Sequence, residues 1–499
     1  MKKIKLIALL LLISVVIFAS CAEPDGGGDT APDIPDIIDG GGGTVDGGDP
    51  EPEVLTHNVP DADFEGHTFT VLVSVNGELA MLNDFEAEEL SGDVINDAIY
   101  RRNDIVEGKF NVQIANIAMP AADGMDRPEA QRRVRTAVAA GDNTYDAILI
   151  GGYGATSLAQ GGFLMNLAEL EPIDLSMPWW DQMANRDLRI MDSMFFTTGA
   201  ISNVVNRATY AVLFNKQMVQ DFHLPDPYEL VRTGAWTYDA LIEMARTVTA
   251  DLTGDGTVGF DDRVGALVWD DTMMGIINSI GERSAVVNAH GEIEITLFNE
   301  RTLRVFDTFM DFVLSDAALT YQREDWASVR ADAMFENAQA LFYMQIMELV
   351  VRLRAMEIDF GVLPSPKLDV YQPYYHSTVG AWHSGFLAVP IGQDDPFRTA
   401  SIIEVMAAES VDTLLRAYYE IALVGQLIRD DESEEMLDII FSTRVFDVGW
   451  LFEVGGWNEG IMGHLRQGTR EFASMYERAR RLADRQVERI NDAFAGIVG

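Results

Sequence analysis

The sequence predicts an α/β protein, built from largely parallel sheets with helices on their faces. Three observations lead there. Short apolar strands alternate with helical periods between residues 64 and 151. One of those strands, Ala147-Ile148-Leu149-Ile150, is apolar at every position, as a strand buried on both sheet faces must be. Beyond a low-complexity N-terminal stretch, about 440 residues remain, too many for one small core and enough for two or three domains.

Each element has its own reason. Phe69, Val71 and Val73 alternate along the chain as strand residues do. Asp93 can cap a helix that carries Ile95, Ile99 and Val106 on one face. Phe110, Val112 and Ile114 alternate again, and Pro128 suits the first turn of a helix through Val134 and Val138. The strand at 147–150 stops at Gly151-Gly152. This β-α-β-α-β order implies a parallel sheet covered on both sides. Ligands of such sheets bind beyond the carboxyl ends of the strands, where Gly151-Gly152-Tyr153-Gly154 falls. Further strands are expected at Val212-Leu213-Phe214, Gly265 to Val268, Phe360 to Leu363 and Phe386 to Val389, the last two bounded by Pro364 and Pro390. Helical periods run from Met218 to about Val248. A helix from Thr469 to Phe494 carries an apolar stripe of Phe472, Tyr476, Ala479 and Leu482.

The N-terminus reads as an export signal. Lys2, Lys3 and Lys5 precede an apolar run from Leu6 to Phe18, short for a membrane span. Phe18-Ala19-Ser20-Cys21 follows and is similar to a bacterial lipobox. Residues 1–20 are thus expected to be a lipoprotein signal peptide, with Cys21, the single cysteine, as the lipidated first residue of the mature chain. The alternative is an ordinary signal peptide beside an incidental cysteine. Residues 21–63 are a Gly/Asp/Pro-rich linker with too little apolar surface to fold. The formal charge is −43. Cleavage removes three lysines and no acid, leaving about −46, which argues against nucleic acid and anionic lipid surfaces as partners. No later apolar run is long enough to cross a bilayer.

Several segments, in this order, resemble the family 1 extracellular solute-binding proteins of ABC importers, particularly the long lipoproteins of clostridial-type bacteria. They are Tyr145-Asp146-Ala147-Ile148, Leu167-Ala168-Glu169-Leu170, Pro178-Trp179-Trp180-Asp181, Leu213-Phe214-Asn215-Lys216, Trp236-Thr237-Tyr238-Asp239 with Leu241-Ile242, Asp359 to Pro364 with Pro366-Lys367, and Arg429 to Leu437. The resemblance implies a two-lobed periplasmic-binding-protein-like fold of type II. Each lobe would be a largely parallel sheet flanked by helices, with a ligand cleft between lobes that closes on binding. By that analogy residues 64–208 with 361–392 form the N-lobe and 212–360 with 393–499 the C-lobe. The implied role is capture of a solute outside the cytoplasm by a lipid-anchored monomer, and its delivery to the transmembrane subunits of an ABC permease. A carbohydrate or oligosaccharide is the expected solute. A peptide, amino-acid derivative or polyamine is the alternative, and a polysaccharide-degrading surface enzyme a remote one.

Two chemical signals stand out. Asp251, Thr253, Asp255, Thr257 and Asp262 follow the spacing of an EF-hand loop, with Gly256 at its turn, and would offer oxygen ligands to a structural Ca²⁺. The competing reading is an Asp/Gly-rich turn without an ion. Gly259 has no side chain at the ninth position, and the loop closes on Asp where Glu is usual. The second signal is aromatic: rings stack on the C–H faces of sugars while short polar groups meet the hydroxyls. Tyr153, Ser157, Trp180, Tyr210, Trp269, Asp271, Trp382 and Trp457 are the expected ligand-binding residues, each with packing in a core as its alternative. Trp179, Asp270, His383 and Asn458 lie beside them. The sequence lacks His-Glu-x-x-His and Gly-x-Ser-x-Gly signatures, so no enzyme activity is expected.

Overall fold

The computed structural model describes residues 56–75, 84–119, 127–321, 328–353, 358–419 and 431–498. The expected signal peptide, Cys21 and most of the linker lie outside them. So do Arg429 and Asp430 of the last family-like segment.

Two sheets organise these residues. The first contains β1 (His67–Ser74), β2 (Val112–Ala118), β3 (Ala147–Gly151) and a late strand, β9 (Gly385–Ala388). Their order is β9-β3-β1-β2. β1 runs parallel to β2 and β3, and β9 runs antiparallel to β3. The second sheet contains β4 (Tyr210–Asn215), β5 (Val264–Val268), β6 (Ala318–Thr320), β7 (Ala340–Ile346) and β8 (Phe360–Leu363), ordered β8-β4-β7-β5-β6. β5 is parallel to β6 and β7, whereas β4 is antiparallel to both β7 and β8. β3, β4, β5, β7, β8 and β9 are buried along their whole length, because helices cover both faces of each sheet.

Local chemistry sets the boundaries. Asp93 caps the helix Val94–Phe110 by accepting the Asn96 N–H at 2.9 Å. That helix runs through Phe110, so Phe110 is the last helical residue rather than the first of a strand. Asn111 then adopts a left-handed conformation (φ 51°) and donates its N–H to Glu107 O, ending the helix before β2 begins. The C-terminal helix spans Phe472–Val498 and buries Phe472, Met475, Tyr476, Ala483, Val487, Ile490 and Phe494. Leu482, expected on that stripe, is 51 % exposed; a straight 3.6-residue period puts Ala483 inward instead.

The division of the chain between the sheets differs from expectation at two places. Phe360–Leu363 pairs with β4, so residues 361–363 belong to the second lobe and the return crossing comes later, between Pro364 and Gly385. Residues after 392 do not pass straight to the second lobe. Ile391 N–H donates to Phe163 O, and the helix Pro396–Ser410 packs on Val94–Phe110 in the first lobe. There Arg102, fully buried, reaches Ser410 Oγ at 3.4 Å and the carbonyl of Asp84 at 2.6 Å. The helix Asp431–Ser442 then lies on β8. The segments joining the lobes are tied to each other: Gly380 N–H donates to Ala208 O, Met347 N–H to Thr209 O, and Val379 N–H to Val445 O.

Candidate functional site

β3 ends at Gly151 and the helix Gly152–Gln160 begins at once, so the expected glycine-rich turn is a strand-to-helix junction. Its glycines permit close approach. A Cβ on Gly152 would stand 2.5 Å from Leu451 Cδ2 and 2.9 Å from the carbonyl of Ala381. The first helical turn therefore lies directly against the loop before β9. That contact brings Tyr153 to Trp382, with ring centroids 6.3 Å apart at 60°. Asn458, in the helix Trp457–Gln467, turns its amide Nδ2 toward the Tyr153 hydroxyl at 3.5 Å.

The second lobe contributes the carboxyl end of β5. Trp269-Asp270-Asp271 follows it and leads into the helix Thr272–Ser279. Asp271 holds the capping position of that helix, yet its side chain makes no capping bond. Tyr210, the first residue of β4, sits between this helix and the loop before β9. A Cβ on Gly275 would meet its ring at 3.4 Å and one on Gly380 at 3.1 Å. The same Cβ on Gly380 would stand 3.4 Å from His383 Nδ1. The buried Tyr210 hydroxyl and His383 Nδ1 make no hydrogen bond of good geometry; the Asp271 carboxyl lies beside the hydroxyl.

Charge in the site is uneven. Arg466 Nε pairs with Asp270 Oδ2 at 3.2 Å and also with Glu459. Burial, then the neighbouring Asp270, push the Asp271 carboxyl well above the usual carboxylate range, opposed by Arg466. Burial, then Asp271 and Asp270, push the Tyr210 phenol up as well. Burial pulls His383 down to about 4, so its imidazole is neutral at physiological pH. Tyr153, Tyr210, Asp270 and Asp271 are all less than a tenth exposed. Aromatic faces, a carboxylate acceptor and neutral polar groups on opposite walls are what a small hydroxyl-bearing solute needs in order to be enclosed.

The structure thus brings Tyr153, Tyr210, Asp271 and Trp382 together, with Trp269 at the same strand end as Asp271, whereas Ser157, Trp180 and Trp457 make other contacts. Trp180 is 2 % exposed, and its indole N–H donates to Glu404 Oε2 while that of Trp179 donates to Oε1, both at 3.0 Å. The pair grips a buried carboxyl inside the first lobe. Ser157 accepts from Arg135 Nη2 at 2.8 Å, toward the helix Arg127–Ala140. Trp457 is buried and stacks on Tyr476 at 4.8 Å and 18°; its neighbour Asn458 is the residue that reaches Tyr153. Trp269, half-buried, tilts against Tyr321 at 5.1 Å. Arg466 and Glu459 join the site without any periodic or motif signal in the sequence.

The acids of the 251–262 loop are turned to the loop's own amides. Asp251 accepts from Gly254 N–H at 2.6 Å and Gly256 N–H at 2.8 Å, and Asp255 from Thr257 N–H at 2.9 Å. Asp262 accepts from Leu252, Thr253 and Gly259 N–H. Among the described residues no three acidic, histidine or cysteine side chains converge where a metal ion could be held. The carboxylates of Asp251, Asp255 and Asp262 are thus engaged by the loop's own amides.

No family model matches the chain, and no curated protein is similar to it in sequence. Solved structures do share its architecture. The maltose/maltodextrin-binding domain MalE from Bdellovibrio bacteriovorus, bound to maltotriose, superposes with a TM-score of 0.54 at 13 % identity over 84 % of this chain and 100 % of that one. A sugar transporter from Rhizobium etli in an open conformation gives 0.55 at 13 % identity, over 85 % and 98 %. UgpB from Mycobacterium tuberculosis, in complex with glycerophosphocholine, gives 0.55 at 16 % identity, over 78 % and 96 %. The chain therefore has the two-lobed α/β fold of MalE-type periplasmic binding proteins.

Proposed function

We propose that this protein captures a carbohydrate or oligosaccharide outside the cytoplasm and presents it to the transmembrane subunits of an ABC importer, without chemical turnover. The observation that carries the proposal is the convergence of Tyr153, Trp382, Tyr210 and Asp271 from both lobes and the crossing between them, at the carboxyl ends of β3 and β5. A fold neighbour bound to maltotriose and another complexed with maltotetraose support a sugar. Among the described residues no helix is long and apolar enough to cross a membrane, and we propose Cys21 as the lipid anchor. One observation keeps a second reading in view: the neighbour in complex with glycerophosphocholine shares the fold and holds a solute that is not a sugar.

A thermal-shift screen against sugars, oligosaccharides, peptides and polyamines tests this. A ligand at a hundredfold excess over its dissociation constant stabilises the folded state by about 2.7 kcal/mol. An oligosaccharide that raises the melting temperature and is recovered intact is the expected result. A sugar consumed during the assay would overturn the binding reading, and a response to peptides alone would overturn the sugar.

A further inference from the structure

Three carboxylates, those of Asp270, Asp271 and Glu459, gather around one guanidinium, Arg466. Arg466 is already committed to Asp270 and Glu459. Asp271 is the surplus acid. It is 8 % exposed, it is not spent on capping the helix that follows it, and the nearby Tyr210 hydroxyl is buried without a partner. An ionised carboxylate enclosed in this way is costly unless a cation joins it. The neutral hydroxyls of a simple sugar would donate hydrogen bonds to it but leave its charge uncompensated. Tyr210 lies beside it, Tyr153 neighbours Tyr210 and Trp382 neighbours Tyr153, and aromatic rings attract an ammonium group. The charge of the whole chain, −43, raises the local concentration of cations at its surface.

We infer that the enclosed solute carries a protonated amine facing Asp271, so that the ligand is an amino sugar or an oligosaccharide containing one; this rests on reading the cleft as a sugar site. Burial, then the neighbouring Asp270, raise the Asp271 carboxyl, and a cation beside it would oppose both.

The test is calorimetric titration of the protein with the glucosamine trimer, its N-acetylated counterpart, maltotriose and cellotriose, at a pH where the amine is protonated. The glucosamine trimer is expected to bind at least about tenfold more tightly than its acetylated counterpart. Asp271→Asn should collapse that preference to within about threefold, while Asp271→Glu should restore part of it. Retained binding of a neutral trimer by the variants shows that they are folded. Equal or tighter binding of the acetylated or neutral trimers by the native protein overturns the amine and leaves the sugar reading standing. Persistence of the preference in Asp271→Asn overturns the assignment to Asp271. Binding of spermidine with none of the trimers overturns the amino sugar and the sugar reading together.

Discussion

Glu404 gives a prediction whose size follows from its surroundings. Its carboxyl is 2 % exposed and is held by the indoles of Trp179 and Trp180. Burial raises it from an ordinary 4.5 to about 7, and the two indole N–H groups oppose that rise without cancelling it. A raised native value means that the fold prefers the protonated acid. This contribution to stability is complete below the unfolded value and is lost as pH climbs through the native one. At about 1.4 kcal/mol per pKa unit the whole loss is about 3 kcal/mol, of which about 2 kcal/mol falls between about pH 5 and about pH 7.5. The absolute stability curve mixes this with other groups. His376 and His383, both drawn down to about 4 by burial, act in the opposite sense, losing stability as pH falls below 6.5. The clean measurement is therefore a difference. Denaturant unfolding of the native protein and of Glu404→Gln, at both pH values, should show the variant gaining about 2 kcal/mol on the native protein as pH rises. A constant offset, which the loss of one indole acceptor also produces, is expected beneath that trend. A difference independent of pH would refute the argument and mean that water reaches the Glu404 carboxyl.

Further predictions follow from other parts of the molecule. Asp447 ties the helix Val448–Leu451 to Ser284 and Asn278 through buried bonds, so Asp447→Ala should cost about 3 kcal/mol in denaturant unfolding, and a cost under about 1 kcal/mol would contradict that role. Tyr210→Phe removes a buried, unpartnered hydroxyl. The unliganded protein should be as stable as before or slightly more so, while affinity for the solute falls about fivefold by titration; unchanged affinity would place the ligand elsewhere. In the 251–262 loop, EDTA followed by millimolar Ca²⁺ should leave the melting temperature unchanged, because Asp251, Asp255 and Asp262 are satisfied by loop amides. A rise on adding calcium would show that these acids reorganise around an ion.

The fold class was legible because the signals behind it are local. Alternation at Phe69, Val71 and Val73, an apolar run at 147–150 and a capping aspartate at 93 each specify an element without reference to distant residues. Tyr153 and Asp271 follow directly from strand ends that the pattern located. The sequence could not tell which aromatic rings face a ligand. Trp180 and Trp382 look alike as letters. Trp180 is spent on Glu404, which lies 224 positions away, and Trp382 faces Tyr153. Only tertiary packing distinguishes an indole that satisfies a buried acid from one that packs against a tyrosine ring. The same holds for the return of β8 to the second sheet and for the single arginine among three carboxylates. Strand order and charge pairing depend on partners far along the chain, and no local period records them. The sequence by itself determined the elements and the ends at which a ligand could bind; the tertiary structure decided which side chains meet there, because burial and pairing are properties of neighbours in space.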